Sequence, residues 1–157
     1  MGIDPGLINT GYGVISFNNR TKEVIDFGII SPDIDSSLSE RLNTIYSDIL
    51  SIIEQYNPDC LSIEEVFYSN NIKTTLKLGQ ARGAVMIAAA QSKLKVYEYS
   101  ARKIKLSLTG NGASNKSQVK FMVGKTLDLD INKYKDDASD ALAAALCHDQ
   151  QFRLLDL

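Results

Sequence analysis

The sequence predicts an α/β fold on a five-stranded mixed sheet, with strands 1–3 antiparallel, strands 1, 4 and 5 parallel, and helices flanking it. Three observations carry this expectation. Residues 1–31 alternate β-rich runs with turn residues, which reads as an antiparallel meander. From Ser37 onward, helical periodicity alternates with two further apolar runs, at 60–67 and 96–100. The last helical segment is apolar around most of its circumference, so it belongs against a core.

Taken in order, Gly2-Ile3-Asp4 opens the first strand, Pro5-Gly6 turns the chain, and a second β-rich run returns through Gly11, Gly13, Val14, Ile15 and Phe17. The first strand starts abruptly, short by a few residues, with Asp4 at its end. Residues 18–22 form a turn, and Glu23 to Ser31 form the third strand. Ser37-Leu38-Ser39-Glu40 has capping-box spacing and opens a helix with Leu42, Ile45, Ile49, Ile53 and Tyr56 at helical intervals, closed by Asn57-Pro58.

Residues 60–67 form a strand interrupted by Glu64 and Glu65, which alternation places on opposite faces. Following a helix, this strand pairs most simply in parallel with the first, through a right-handed crossover. Its carboxyl end, with one of the two glutamates, then lies beside Asp4, where ligands gather in open α/β sheets. A second long helix spans 72–93; Gly79 and Gly83, one turn apart, cost helix propensity without a loop to explain them and allow a close approach, either to the sheet of the same chain or, the reading preferred, to a second copy in a dimer. After a short fifth strand and a helix from Ala101, the loop 109–113 leads to a helix capped by Ser114. Lys105 and Lys116 flank that glycine loop, where ammonium and amide groups suit a phosphate backbone.

At 157 residues the chain is expected to be a single domain, 1–157, and with neither a leader-like segment nor an apolar run near 18 residues it reads as cytoplasmic. Cys60 and Cys147 share no metal-ligand spacing and read as reduced core thiols, and the lone His148 cannot build a histidine metal site. The net charge of −2 conceals a division along the chain. Residues 1–70 hold 3 basic and 11 acidic side chains, residues 71–125 hold 11 and 1, and residues 126–157 hold 3 and 7. The cationic middle third reads either as a solvated helix face or, the reading preferred, as the footprint of a phosphate-rich partner.

Asp136, Asp137 and Asp140 occupy the first turn of the last helix, with Asp137 and Asp140 on one face. Alone, such acids do no more than complement the helix macrodipole. With the strands placed, however, Asp4, Glu64, Asp137 and Asp140 converge, and four unpaired carboxylates call for cations. Two ions ~4 Å apart would stabilise the attacking and leaving oxygens of a phosphodiester displacement. Setting those four acids aside leaves 17 basic against 15 acidic side chains, a balance compatible with DNA.

Five segments, in this order along the chain, closely resemble the RuvC family of Holliday-junction endonucleases: Gly2 to Gly6, Ile63 to Phe67, Leu76 to Gly83, Lys116 to Val119, and Asp137 to Ala143. The resemblance implies a ribonuclease H-like fold and a homodimer that nicks opposing strands of four-way junction DNA symmetrically, in recombination and repair. It implies two Mg²⁺ per site, with Mn²⁺ as a substitute: Asp4 bridging both, Glu64 completing one position, Asp137 and Asp140 the other. It also implies DNA contacts from Phe67, Lys73, Lys77, Arg82, Lys105 and Lys116, a dimer contact through Leu76, Gly79, Gly83 and Met86, and a branch-migration partner such as RuvA and RuvB. Some relatives carry His at the position of Asp137, and many carry Gln at that of Glu65.

Other readings remain at this stage. A branched-DNA-binding module, or a ribonuclease H-like nuclease with looser structure preference, would use the same surface. An actin-like ATPase shares the Asp4-Pro5-Gly6 hairpin but needs two lobes, which 157 residues do not supply.

Overall fold

The computed structural model describes residues 1–18, 21–65 and 72–155, without the side chains of residues 154 and 155. β1 (Gly2–Asp4), β2 (Thr10–Phe17), β3 (Lys22–Ile30), β4 (Cys60–Glu64) and β5 (Lys95–Tyr99) form one sheet in the order β3-β2-β1-β4-β5. β1–β2 and β2–β3 pair antiparallel, β1–β4 and β4–β5 parallel, as the order of turns and helices predicts. The helices are α1 (Leu38–Tyr56), α2 (Ile72–Gln91), α3 (Ala101–Thr109), α4 (Lys116–Leu127) and α5 (Asp136–Leu155), with a 3₁₀ turn at Ile131–Lys133 that the sequence had not indicated.

Strand alternation divides the core in two. Ile3, Val14, Leu61 and Ile63 face α1 and α2, and pack with Ile45, Ile49 and Val85. Ile15 and Tyr99 belong to the opposite layer, with Ile104 of α3, Val123 of α4, and Leu142 and Leu146 of α5. By the same alternation Asp4 and Glu64 share the α5 side with Gly2 and Ser62. Glycine is what lets α5 settle there. A Cβ on Gly2 would fall 2.1 Å from the Ala141 carbonyl oxygen, one on Gly11 1.9 Å from that of Asp137, and one on Gly13 2.6 Å from Leu142 Cδ2. The helix therefore rests directly on the backbone of β1 and β2.

The capping box of α1 forms as expected: the Glu40 N–H donates to Ser37 Oγ (3.3 Å), and the Ser37 N–H donates to the Glu40 carboxylate (2.8 Å). The cap of α4 is a correction. Asn115, not Ser114, holds it, accepting from the Gln118 N–H while Gln118 accepts in return from the Asn115 N–H. Ser114 is instead buried, its hydroxyl 2.8 Å from that of Thr109.

Candidate active site

Asp4 and Glu64 are the last residues of two adjacent parallel strands. The register Ile3↔Ile63 carries them one step further to the same sheet edge and the same face. The loop after Asp4 is fixed by its own side chains. The Gly6 N–H donates to Thr10 Oγ1 (3.2 Å), the Thr10 hydroxyl donates back to the Gly6 carbonyl (2.7 Å), and Arg41 donates to the Leu7 carbonyl (2.6 Å). Asp4 is thus held between a short strand and a rigid turn.

Helix α5 supplies the remaining acids. Asp140 lines a cleft of about 400 Å³ together with Asp4, Glu64 and Glu65, between apolar walls that include Leu78, Ile104 and Val119. Asp137 sits a turn earlier, its carbonyl seated against Gly11. Lys105 of α3 and Lys116 of α4 complete the lining, and the Lys116 ammonium pairs with Asp140 at 3.0 Å.

The electrostatics record the crowding. Burial first, then the charges of Asp140, Glu64 and Asp137, push the Asp4 carboxyl up to about 7, with Lys116 opposing. Burial and Asp140 likewise raise Glu64, opposed by Lys116 and Lys105. Lys116 is itself raised, chiefly by its hydrogen bond to Asp140. Among the described residues neither the Asp4 nor the Glu64 carboxylate has a hydrogen-bond or ion-pair partner.

An all-oxygen donor set of this charge fits hard divalent cations, and raised proton affinities are the mark of carboxylates lacking a counter-cation. Among the described residues no three His, Cys, Asp or Glu side chains are gathered around a single point.

The other candidates divide. Lys105 and Lys116 stand in the cleft, and Lys73 and Lys77 are exposed on the first turns of α2. Phe67 lies outside the described residues. The Arg82 guanidinium pairs with Glu98 of β5 and its side chain is mostly covered, because α2 packs over that strand. Gly79 and Gly83 have nothing within 4 Å of a would-be Cβ, and Leu76 is 62 % exposed, so this stripe faces outward; Met86 is half-buried. The expectation that Glu64 and Glu65 diverge is corrected. β4 ends at Glu64, so the pleat no longer constrains Glu65, and both line the cleft.

α2, α3 and α4 have no acid in the first turn, whereas α1 and α5 do. Ala101 and Lys116, the first residues of α3 and α4, line the cleft themselves. Helix N-termini are positive ends, and a basic residue there carries a small cost that an anion removes. Sequence reading missed one pair beside the site: Lys120 of α4 with Asp136 of α5, at 2.7 Å. Two lysines one turn apart, matched by two acids one turn apart on the next helix, were its only signal. Cys60 and Cys147 are free thiols, Cys60 Sγ lying 3.1 Å from His148 Nε2. Among the described residues no helix is long and apolar enough to cross a membrane.

The family model for crossover junction endodeoxyribonuclease RuvC matches residues 1–148. The chain belongs to the RuvC family. A RuvC from Edwardsiella ictaluri is 48 % identical over 94 % of this chain and 84 % of its own length. One from Halothermothrix orenii is 40 % identical over 98 % and 93 %. Among solved structures, Thermus thermophilus RuvC in complex with a Holliday junction substrate superposes with a TM-score of 0.91 at 29 % identity, covering 98 % of this chain and 93 % of that one. The sheet order found here is accordingly that of a ribonuclease H-like fold. RuvC proteins are metal-dependent nucleases, and the activity that comes with the family is endonucleolytic resolution of Holliday junctions.

Proposed function

We propose that Asp4, Glu64, Asp137 and Asp140 together hold two divalent metal ions, Mg²⁺ with Mn²⁺ as a substitute. On this reading residues 1–157 work as a single nuclease domain, paired in a homodimer, that nicks two opposing strands of four-way junction DNA in the cytoplasm. The observation that carries it is the meeting of carboxylates from two strand ends and one helix in a cleft whose rim is cationic. Metal ions bound there would supply a nucleophilic water at neutral pH and neutralise charge building on the scissile phosphate.

The chain's own groups do the rest. Asp4, central to all the other acids, must release its proton before it can serve as a ligand. Lys105 and Lys116, both in the lining of the cleft, orient the phosphate and exclude non-productive poses. The N-terminal turns of α3 and α4 add positive potential along the strand's path. Lys73 and Lys77 extend it along α2, and Phe67 follows β4 as an aromatic for junction bases. The outward stripe of α2 with Leu76, Gly79 and Gly83, flanked by Met86, forms the contact between copies, and RuvA with RuvB is the partner that delivers the junction.

The test is an Asp4→Asn substitution, assayed on a four-way junction, a fork and a linear duplex. Wild type should nick the junction in opposing strands with Mg²⁺ and spare the duplex. Asp4→Asn should bind the junction in a mobility-shift assay with unchanged affinity and cut it at least ~10³-fold more slowly, the scale on which removing a unit of catalytic machinery acts. Cutting by Asp4→Asn at the wild-type rate, or equal wild-type cutting of all three substrates, would overturn the assignment.

A further inference from the structure

Two ion pairs cross between α4 and α5, and they are built differently. Lys116 and Lys120 stand one turn apart on α4, and Asp140 and Asp136 one turn apart on α5. The bonds Lys116–Asp140 (3.0 Å) and Lys120–Asp136 (2.7 Å) therefore climb one helix while descending the other. Lys116 is the loose member, with a side chain 76 % exposed and Asp140 as its hydrogen-bond acceptor among the described residues. Lys120 is covered, 20 % exposed, and donates a second bond to the Tyr134 carbonyl at 2.9 Å. The Tyr134 ring in turn packs edge-on against Phe27 of β3 at 4.6 Å. Lys120 thus fastens α4 to the segment that leads into α5, and that segment is fastened to the sheet.

The two acids also differ in what they face. Asp140 lines the cleft with Asp4 and Glu64; Asp136 does not. A divalent ion taken up at Asp140 competes with the Lys116 ammonium for the same oxygens, and two cations at one carboxylate repel. Asp136 is held chiefly by Lys120, through its hydrogen bond and its charge, and Lys116 acts on it only as a weaker, more distant charge.

Resting on the metal-site reading above, we infer that Lys120 is a positioning residue for the cutting reaction: its bonds to Asp136 and the Tyr134 carbonyl keep the start of α4 in place after Lys116 has been displaced from Asp140. Lys116 is the exchangeable counter-ion of Asp140, and Lys120 is the strut that leaves the freed ammonium at the scissile phosphate. Loss of the strut lets α4 drift at the moment its own ion pair opens.

The test compares Lys116→Met, Lys120→Met, Lys120→Arg and Asp136→Asn in the full chain. Mn²⁺ affinity is read without DNA by paramagnetic resonance, single-turnover cutting on pre-bound junction, and unfolding by thermal melt. Lys116→Met should bind Mn²⁺ several-fold more tightly, since a competing cation is gone, while Lys120→Met should leave Mn²⁺ affinity within about twofold. Lys120→Met and Asp136→Asn should slow cutting about tenfold at unchanged junction affinity, the usual scale for a group that orients a ligand from behind. Lys120→Arg should restore the rate. Asp136→Asn, at an exposed carboxylate, carries the test if Lys120→Met does not fold. Wild-type cutting by Lys120→Met and Asp136→Asn overturns the inference. So does loss of rate that follows melting temperature and is not rescued by Lys120→Arg. If Asp4→Asn cuts normally, the metal-site reading has failed first, whatever Lys120 does.

Discussion

Asp4 is the residue on which the site turns, and its proton affinity makes a measurable demand on stability. With a folded value of about 7 against an ordinary 3.8, folded protein holds the proton to higher pH than unfolded protein does. Its contribution is fully present below about pH 3.8 and is lost as pH rises through about 7, amounting to about 4 kcal/mol at 1.36 kcal/mol per unit. In EDTA, the melting temperature of wild type relative to Asp4→Asn should therefore fall between pH 4 and 7. Added Mg²⁺ should stabilise wild type more at pH 8 than at pH 5.5, and an identical pH profile for the two proteins would refute the shift. At this scale the sequence was informative about which acids meet, because Asp4, Glu64 and Asp140 end or begin regular elements. It was silent on the pairing of Arg82 with Glu98, which lies on another element, and it misjudged Glu65, because pleat alternation stops where a strand stops.

At the scale of elements, the contact of α5 with β1 and β2 decides whether the acids meet at all. Gly11 is the tightest point, its would-be Cβ only 1.9 Å from the Asp137 carbonyl oxygen, where backbone opposes backbone and no rotamer can yield. Gly11→Ala should cost roughly 1–3 kcal/mol of stability, as overpacking does. It should also reduce cutting further than the lost stability explains, because Asp137 and Asp140 ride outward with the helix. A melt and a cleavage assay on the same sample check this, and an unchanged rate would show that α5 can shift without consequence. The glycines were visible in the sequence as a spacing of two on the second strand; what lay above them was not, since the helix that needs the room comes over a hundred residues later. Capping showed the same limit. The Ser37 box was legible because its partner is three residues away, whereas Ser114 was displaced as a cap by an equally good neighbour and tied to Thr109.

For the whole molecule, the outer face of α2 stands out as one that no described residue covers. Ile72, Leu76 and Ile87 are 67, 62 and 62 % exposed, and the glycines between Leu76 and Ile87 leave the helix backbone open to close approach. Leu76→Glu should convert a dimer to a monomer by light scattering while keeping the melting temperature of the fold, and should uncouple the paired nicks into single ones. A dimer that survives Leu76→Glu would place the contact elsewhere. The mixed sheet and its strand order were readable from the sequence because turn chemistry and helix periodicity leave few ways to connect five strands. The exposed stripe was readable only as unexplained glycines.

One arrangement has a further reach. Half of the acids sit in the first 64 residues and half on the helix beginning at Asp136. On the metal-site reading, a chain emerging from the ribosome would carry no cutting edge until the helix beginning at Asp136 had been made. An unfinished copy of such a nuclease would then be a blunt one.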